Sequence, residues 1–203
     1  YEKEDPYSVS SDEFKIINTG TIGRYVPRWG LQEMRYLKDK YLYPVVNKDQ
    51  FLLEFNNSYS EKSKKVKIII KGLTLLDACL DADGSIIPGK STLMISSDLE
   101  TLYLLLGIIN SKLATFYIKE KYASSSYNGG INFNKDMLNN FPIKNGHDIE
   151  FSQIRDIVRQ IIDIKAFNYY ADTKAEEGKI DNILYNIYEL TADEISIVEQ
   201  TNK

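Results

Sequence analysis

The sequence predicts an α+β fold: a mixed, mainly antiparallel sheet with packed helices, followed by a C-terminal helical segment. Short β-branched runs separated by Gly, Asp and Pro occupy residues 13–96, which is typical of such sheets. Beyond them, apolar residues recur at helical spacing. We therefore expect one domain at residues 1–147, with a polar linker at 1–12, and a helical segment at 148–203 that packs on it or on a neighbouring domain.

The strands are predicted from apolar runs bounded by turn residues. An Asp83-Gly84 turn is expected to join two of them as a hairpin. A short helix is expected between Leu31 and Lys38. The predicted strand regions are FKIIN (14–18), YLYPVV (41–46), KVKIIIKG (65–72), the two halves of LTLLDACLDADGSIIPG (73–89), and STLMIS (91–96).

The helices are predicted from capping boxes and from a period near 3.6 residues. Ser97 with Glu100 begins one helix, and Thr191 with Glu194 begins the last. A further helix is expected over 111–122. Its buried face is expected to contain Leu113, Phe116 and Tyr117.

The charge is distributed unevenly along the chain. The net charge is −4, but residues 14–147 have eighteen Lys and Arg against twelve Asp and Glu, a net of +6. Residues 148–203 have twelve acids and six bases, a net of −6. Such asymmetry is informative about partners. We expect the middle of the chain to face an anion, and the ends to face solvent or protein.

The chain begins at Tyr1 without an initiator Met, so we expect it to be a fragment of a longer polypeptide. The apolar run at 102–109 is shorter than the roughly 20 residues that span a bilayer. The single Cys79 excludes an internal disulfide and suits a reducing compartment. These features predict a cytoplasmic protein without a membrane partner.

No catalytic, cofactor-binding or metal-binding residue is predicted. The segment 84–91 matches the phosphate-loop pattern GxxxxGKS, but the apolar β-branched residues after Ser91 predict a strand, where that loop needs a helix. The first glycine also belongs to the Asp83-Gly84 turn. His147 and Cys79 are isolated, so neither a metal cluster nor a catalytic triad can be assembled. Lys90 is instead expected to be an exposed hairpin lysine.

A basic run and a polar loop are the strongest candidates for a binding surface. The run from Lys62 to Lys71 has five lysines and no acid, and its alternative interpretation is a solvated edge strand. A helix with Lys112, Lys119 and Lys121 leads into an acid-free loop of Ser, Asn, Gly and Tyr between residues 122 and 135. Fixed charge beside small polar side chains suits a phosphate backbone and base edges, although an ordinary surface loop explains it as well.

A third cluster consists of Arg24, Arg28 and Trp29. An Arg side chain can recognise guanine through two hydrogen bonds, and Trp can stack on a displaced base. Trp29 beside Pro27 is equally well explained as a core residue.

Several segments, in this order, resemble the TaqI-like C-terminal specificity domain of adenine-specific DNA methyltransferases in combined restriction–modification (type IIG) enzymes. The resemblance covers nearly the whole chain. It rests on IINTGTIGRYVPRWG (16–30), KVKIIIKGL (65–73), IIPGKSTLMI (86–95), LLGIINSKLATFYIKEKY (105–122), FPIK (141–144) and IDNILYNIYELTADEISIVE (180–199).

The resemblance implies a target-recognition domain that holds double-stranded DNA against an upstream methyltransferase domain. That domain would bind S-adenosylmethionine and methylate adenine N6 through an NPPY-type motif, which this chain lacks. Some members also have a nuclease. Such enzymes flip the adenine out of the duplex. No catalytic residue is transferred to this chain, and base-contacting loops vary within the family.

We therefore predict a non-catalytic module that recognises a DNA sequence for a methyltransferase. Its alternatives are a protein-interaction module without DNA contact and, least favoured, a nucleotide-binding domain. The prediction requires the lysines and the Ser/Asn loop to share one surface. The predicted DNA-binding residues are Arg24, Arg28, Lys62, Lys64, Lys65, Lys67, Lys90, Ser124, Ser125, Tyr127, Asn128 and Asn132.

Overall fold

A computed structural model describes residues 1–55, 58–74, 76–123, 126–127, 130–144 and 148–201, and confirms the predicted α+β class. The strands are β1 (Glu13–Ile17), β2 (Met34–Tyr36), β3 (Asp39–Tyr41), β4 (Val45–Asn47), β5 (Lys67–Lys71), β6 (Leu73–Thr74), β7 (Ala78–Asp81), β8 (Ile86–Pro88), β9 (Thr92–Ile95), β10 (Ser126–Tyr127) and β11 (Gly130–Asn132). The helices are α1 (Lys48–Glu54), α2 (Ser58–Ser63), α3 (Leu99–Ile109), α4 (Lys112–Lys121), α5 (Lys135–Asn139), α6 (Asp148–Phe167), α7 (Lys174–Ile187) and α8 (Ala192–Thr201).

Within the described ranges, three three-stranded sheets organise residues 1–147, which we call the α+β half. The first has the order β4-β1-β8, in which β1 pairs antiparallel with β4 and parallel with β8. The second, β7-β5-β9, and the third, β10-β11-β6, are antiparallel. Because β5 is a central strand, the edge-strand interpretation of the basic run is wrong.

The largest hydrophobic core lies between the β7-β5-β9 sheet and the helices. Ile68 and Ile70 of β5 pack there with Leu106 of α3, all fully buried. Ile69 belongs to a second core on the other face, together with Cys79. Since β5 is buried on both faces, its apolar residues form a continuous run.

The C-terminal helices share this core. α6 packs closely on α3 at Gly107, where an added Cβ would lie 2.7 Å from Ile154 Cγ2. Ile154, Val158 and Ile180 are buried there. Residues 148–201 therefore complete the hydrophobic core of the α+β half.

Two helix starts test the predicted capping boxes. At α8, the Glu194 carboxylate accepts the Thr191 N–H at 2.8 Å, and Thr191 Oγ1 accepts the Glu194 N–H at 3.3 Å, which confirms that box. The predicted Ser97 cap of α3 is wrong. Asp98 is the N-cap and accepts the Thr101 N–H at 3.0 Å. An Asp is favoured at this position because its carboxylate also interacts favourably with the helix dipole.

The predicted helix α4 is present, but its buried face differs from the prediction. Ala114 and Ile118 are the fully buried residues, whereas Leu113, Phe116 and Tyr117 are half-buried. The larger side chains line an apolar groove because α7 and α8 cover α4 only in part. The sequence did not predict the short helices α1, α2 and α5.

The predicted helix between Leu31 and Lys38 is wrong. The chain forms the two-stranded β2–β3 hairpin there, with Arg35 opposite Lys40. Leu31, Met34 and Leu37 are three residues apart, as on one face of a helix, but of these three only Met34 is buried. The apolar pattern is therefore not the face of a helix.

The Asp83-Gly84 turn exists, with Gly84 at φ +69°, but the predicted hairpin is wrong. β7 and β8 do not pair with each other and belong to different sheets. Asp81 holds the crossover by accepting N–H groups from Ser85 and Ile86, each at 3.1 Å. The turn thus links the two sheets.

The predicted linker at 1–12 is partly structured. Val45 N–H donates to Tyr1 O at 2.9 Å, and Lys3 N–H donates to Tyr43 O at 3.1 Å. Residues 1–3 therefore lie along the chain that enters β4. None of the described helices alone is long and apolar enough to cross a bilayer; α3 and α4 meet that test only as a pair bent by 64°.

Candidate nucleic-acid interface

The predicted lysine anchors lie at the start of β5. Lys62, Lys64 and Lys65 are exposed at the junction between α2 and β5. Lys64 pairs with Glu61 at 2.7 Å, while Lys62 and Lys65 make no ion pair with any described residue. The backbone of Lys64 packs against Gly84, so this junction lies beside the crossover turn.

Lys67 is not a phosphate anchor, and that prediction is wrong. Its side chain is fully buried and forms an ion pair with Asp81, while its ammonium also donates to Ser63 O at 2.6 Å. Burial lowers the pKa of Lys67, and the Asp81 carboxylate opposes that shift. The sequence pattern concealed this role because Asp81 lies on the next strand of the sheet.

Lys90 and Asn132 lie at the opposite end of β5. Gly72, just after β5, donates its N–H to Ser91 O at 3.0 Å, and Phe133 N–H donates to Gly72 O at 2.8 Å. These bonds bring the turn around Lys90 and the end of β11 to the same edge. Lys90 and Asn132 are both exposed there.

Arg24 is held inside the molecule. Its guanidinium donates to the Glu177 carboxylate at 2.6 Å and to Asn110 O at 2.5 Å. Burial disfavours its charge, but Glu177, Tyr25 and Asp77 together outweigh that effect and raise the pKa of Arg24. Arg24 therefore joins the N-terminal half to α7.

Arg28 and Trp29 also have internal partners. Arg28 Nε donates to Tyr169 Oη at 2.6 Å, and Trp29 Nε1 donates to Pro44 O at 2.9 Å. Trp29 packs against the second core, as its alternative interpretation expected. Reaching a base would require either arginine to give up these contacts.

Part of the predicted Ser/Asn loop lies outside the described residues, namely Ser124, Ser125 and Asn128. The backbone of Tyr127 lies in β10, which pairs with β11 and so adjoins Asn132. Strand β10 therefore belongs to the same sheet as Asn132.

The exposed residues of the predicted set fall into two groups beyond the opposite ends of β5, so they do not form a single cluster. Lys65 marks one group and Lys90 the other, and β5 itself is a five-residue strand about 13 Å long. We call the first the α2–β5 cluster (Lys62, Lys64, Lys65), and the second the hairpin edge (Arg35, Lys38, Lys40, Lys90, Asn132).

The sequence analysis missed the β2–β3 hairpin as part of the hairpin edge. Asn18 Nδ2 donates to Arg35 O at 2.9 Å, and Gly89 packs on Asn18. Because β1 and β8 are parallel neighbours, their ends meet and place Lys90 beside the hairpin base. The signal was the presence of three bases within RYLKDK (35–40), but the helical spacing of the apolar residues hid it.

The phosphate-loop alternative lacks its structural context. Ser91 has φ +61° and is followed by β9, whereas a phosphate loop leads directly into a helix. Among the described side chains, no group of three His, Cys, Asp or Glu could hold a metal ion. The chain matches no protein-family model and no curated protein.

Proposed function

We propose that the chain is a sequence-recognition module for double-stranded DNA in a restriction–modification adenine-N6 methyltransferase. One observation supports this proposal most strongly. Seven exposed cations of the α+β half make no ion pair with any described residue, and five of them belong to the α2–β5 cluster and the hairpin edge: Arg35, Lys38, Lys62, Lys65 and Lys90.

Unpaired surface cations suit a polyanion. Each phosphate that a Lys or Arg neutralises releases condensed counterions, and this release drives much of protein–DNA affinity. The two ends of β5 are about 13 Å apart, comparable to the roughly 12 Å width of the major groove. The α2–β5 cluster and the hairpin edge lie beyond these two ends, and we place one against each backbone of a duplex.

The C-terminal helices have a different role in this proposal. Their net negative charge disfavours DNA, and Arg159 is bound by Glu100 and Asp156. We place this face away from the duplex. The upstream domain that binds S-adenosylmethionine and performs methylation would complete the DNA-binding cleft, in the cytoplasm.

A second candidate is the protein-interaction module. The observation that favours it is an apolar groove of about 150 Å³ beside α4. Half-buried aromatic side chains line it, including Phe116, Tyr117 and Phe141. This candidate requires no DNA affinity, so a DNA titration distinguishes it from the proposed function.

The test is a titration of a labelled duplex with the whole chain at about 50 mM salt, where phosphate contacts are strong. Replacing Lys64 and Lys65 by Ala should weaken binding to all sequences and lower the salt slope by about 1–2. Lys179→Ala, an exposed lysine of α7, is the matched control and should bind as the wild type does. If the Lys64/Lys65 double variant and Lys179→Ala have the same affinity and salt slope, the α2–β5 cluster does not contact DNA.

A further inference from the structure

The β2–β3 hairpin is an exposed ribbon held only at its base. Met34 packs inward, whereas Tyr36 is 59% exposed and Leu37 is 88% exposed. Two polar contacts hold the base: the Asn18–Arg35 hydrogen bond and a 2.8 Å ion pair between Lys40 and Glu33. An isolated two-stranded ribbon is only marginally stable in water.

The tip of this hairpin is strained. Leu37 has φ +55°, a conformation that costs a non-glycine residue about 1–2 kcal/mol. Gly, Asn or Asp normally occupies such a position. The two-residue turn requires this positive φ, so Leu37 destabilises the free protein through its backbone, and its exposed side chain buries no apolar area. Strained residues of this kind recur at binding sites.

The outer face of the hairpin carries a second unfavourable feature. Arg35 and Lys40 lie directly opposite each other across the ribbon. Because side chains alternate along a strand, both point away from the face that buries Met34. Glu33 pairs with Lys40, and the like-charge contact of Lys40 with Arg35 opposes the stabilising effect of that pair. An anion bound between Arg35 and Lys40 would turn this repulsion into a favourable interaction.

Further positive charge extends this face. Lys38 is in the turn itself, and neither Arg35 nor Lys38 forms an ion pair within the described part of the chain. Lys90 lies beside the hairpin base through the contact of Gly89 with Asn18. The ribbon thus presents an apolar tip flanked by cations.

We propose that the β2–β3 hairpin enters the major groove of duplex DNA. This inference rests on the proposed function and identifies the element that reads the site. Arg35 and Lys40 contact phosphates, and the Tyr36–Leu37 tip contacts base edges, where an apolar side chain can recognise a thymine methyl group. A two-stranded ribbon fits the major groove, which is about 12 Å wide.

The test compares stability and duplex affinity in the same variants. Leu37→Gly should raise the melting temperature, because Gly adopts positive φ freely, yet it should weaken binding about fivefold. Arg35→Gln, which leaves the Lys40–Glu33 ion pair intact, should also retain or raise stability, while it lowers the salt slope by about 1. A purely structural role would not move stability and affinity in opposite directions.

The controls are Leu53→Ala, an equally exposed leucine on α1, and Lys179→Ala. Both should bind the duplex as the wild type does. A saturating minor-groove ligand should leave wild-type affinity unchanged, and abolition of binding by it would overturn the groove assignment. If the wild type binds but the hairpin variants bind equally well, the inference fails and the proposed function stands. If the wild type does not bind duplex DNA, the proposed function itself fails.

Discussion

At the residue scale, the buried ion pair of Lys67 and Asp81 joins β5 to β7. Burial lowers the pKa of Lys67 and raises the pKa of Asp81, and the attraction between them opposes both shifts. Asp81 also holds the crossover turn through two N–H groups. Removing one partner would leave the other charged and buried.

Lys67→Ala should therefore lower the free energy of unfolding by about 3–5 kcal/mol. Lys65→Ala is the control, because Lys65 is exposed two residues away and should change stability by less than about 0.5 kcal/mol. Urea unfolding at pH 7 measures both variants. Equal stabilities would contradict the structural role assigned to Lys67.

Asp181 is a buried carboxyl group whose charge is unfavourable. It accepts the Lys112 N–H at 2.9 Å, yet burial raises its pKa to about 6. Its pKa in the unfolded chain is about 3.9, so the folded state binds more protons between these two values. Asp181 therefore makes the fold more stable as pH falls through 6, and this contribution is lost as pH rises.

Between pH 7 and pH 5, this effect should stabilise the wild type by about 1–1.5 kcal/mol relative to Asp181→Asn. Because both proteins contain the same other carboxyl groups, the contributions of those groups to the pH dependence cancel in the difference. Chemical unfolding at the two pH values gives the difference. The same pH dependence in both proteins would show that Asp181 titrates normally.

At the element scale, Gly107 sets the distance between α3 and α6. A Cβ at this position would meet Ile154 Cγ2 at 2.7 Å and Val158 Cγ2 at 3.0 Å. Both contacts are β-branched side chains of a packed helix, which cannot easily move aside. Gly178 in α7 is the opposite case, with no atom within 4 Å of such a Cβ.

Gly107→Ala should destabilise the protein by about 1–3 kcal/mol, because overpacking outweighs the helix propensity of Ala. Gly178→Ala should stabilise it by about 0.5–1 kcal/mol, since only the propensity changes. Thermal unfolding of the two variants decides the signs. A stabilising Gly107→Ala would contradict the close packing of α3 on α6.

Local signals were sufficient for most elements. Thr191 and Glu194 identified the start of α8 because the two partners of that cap are only three residues apart in the sequence. The hairpin at 34–41 was missed because its tip uses Leu37, which is not a typical residue for positive φ. The buried state of Lys67 depends on a carboxylate of a different strand, so no local pattern could reveal it.

At the scale of the whole molecule, the fold class could be predicted but the candidate site only in part. Periodicity predicted the helical C-terminal segment, but not that it would neutralise Arg24 through Glu177, which is 153 residues away in the chain. The charge asymmetry identified the half of the chain with free cations. It could not show that β5 would separate them into the α2–β5 cluster and the hairpin edge.

The resulting charge arrangement favours one direction of approach for a polyanion. Among the described residues, seven exposed cations without ion pairs lie on the α+β half and only two, Lys174 and Lys179, lie on the C-terminal helices, whereas residues 148–203 are strongly acidic. Modest positive charge also implies modest affinity for the isolated chain, because few phosphates are neutralised. The salt dependence of binding should therefore be moderate, in proportion to that small number of phosphates.

The most direct test is the salt dependence of the affinity of the wild-type chain for duplex DNA. With four or five phosphates neutralised by the two clusters, log K plotted against log salt concentration should fall with a slope of about −4. Binding should be measurable at about 50 mM salt and weaken more than a hundredfold by about 200 mM. No binding at the lower concentration, or an affinity independent of salt, would contradict a DNA-recognition role.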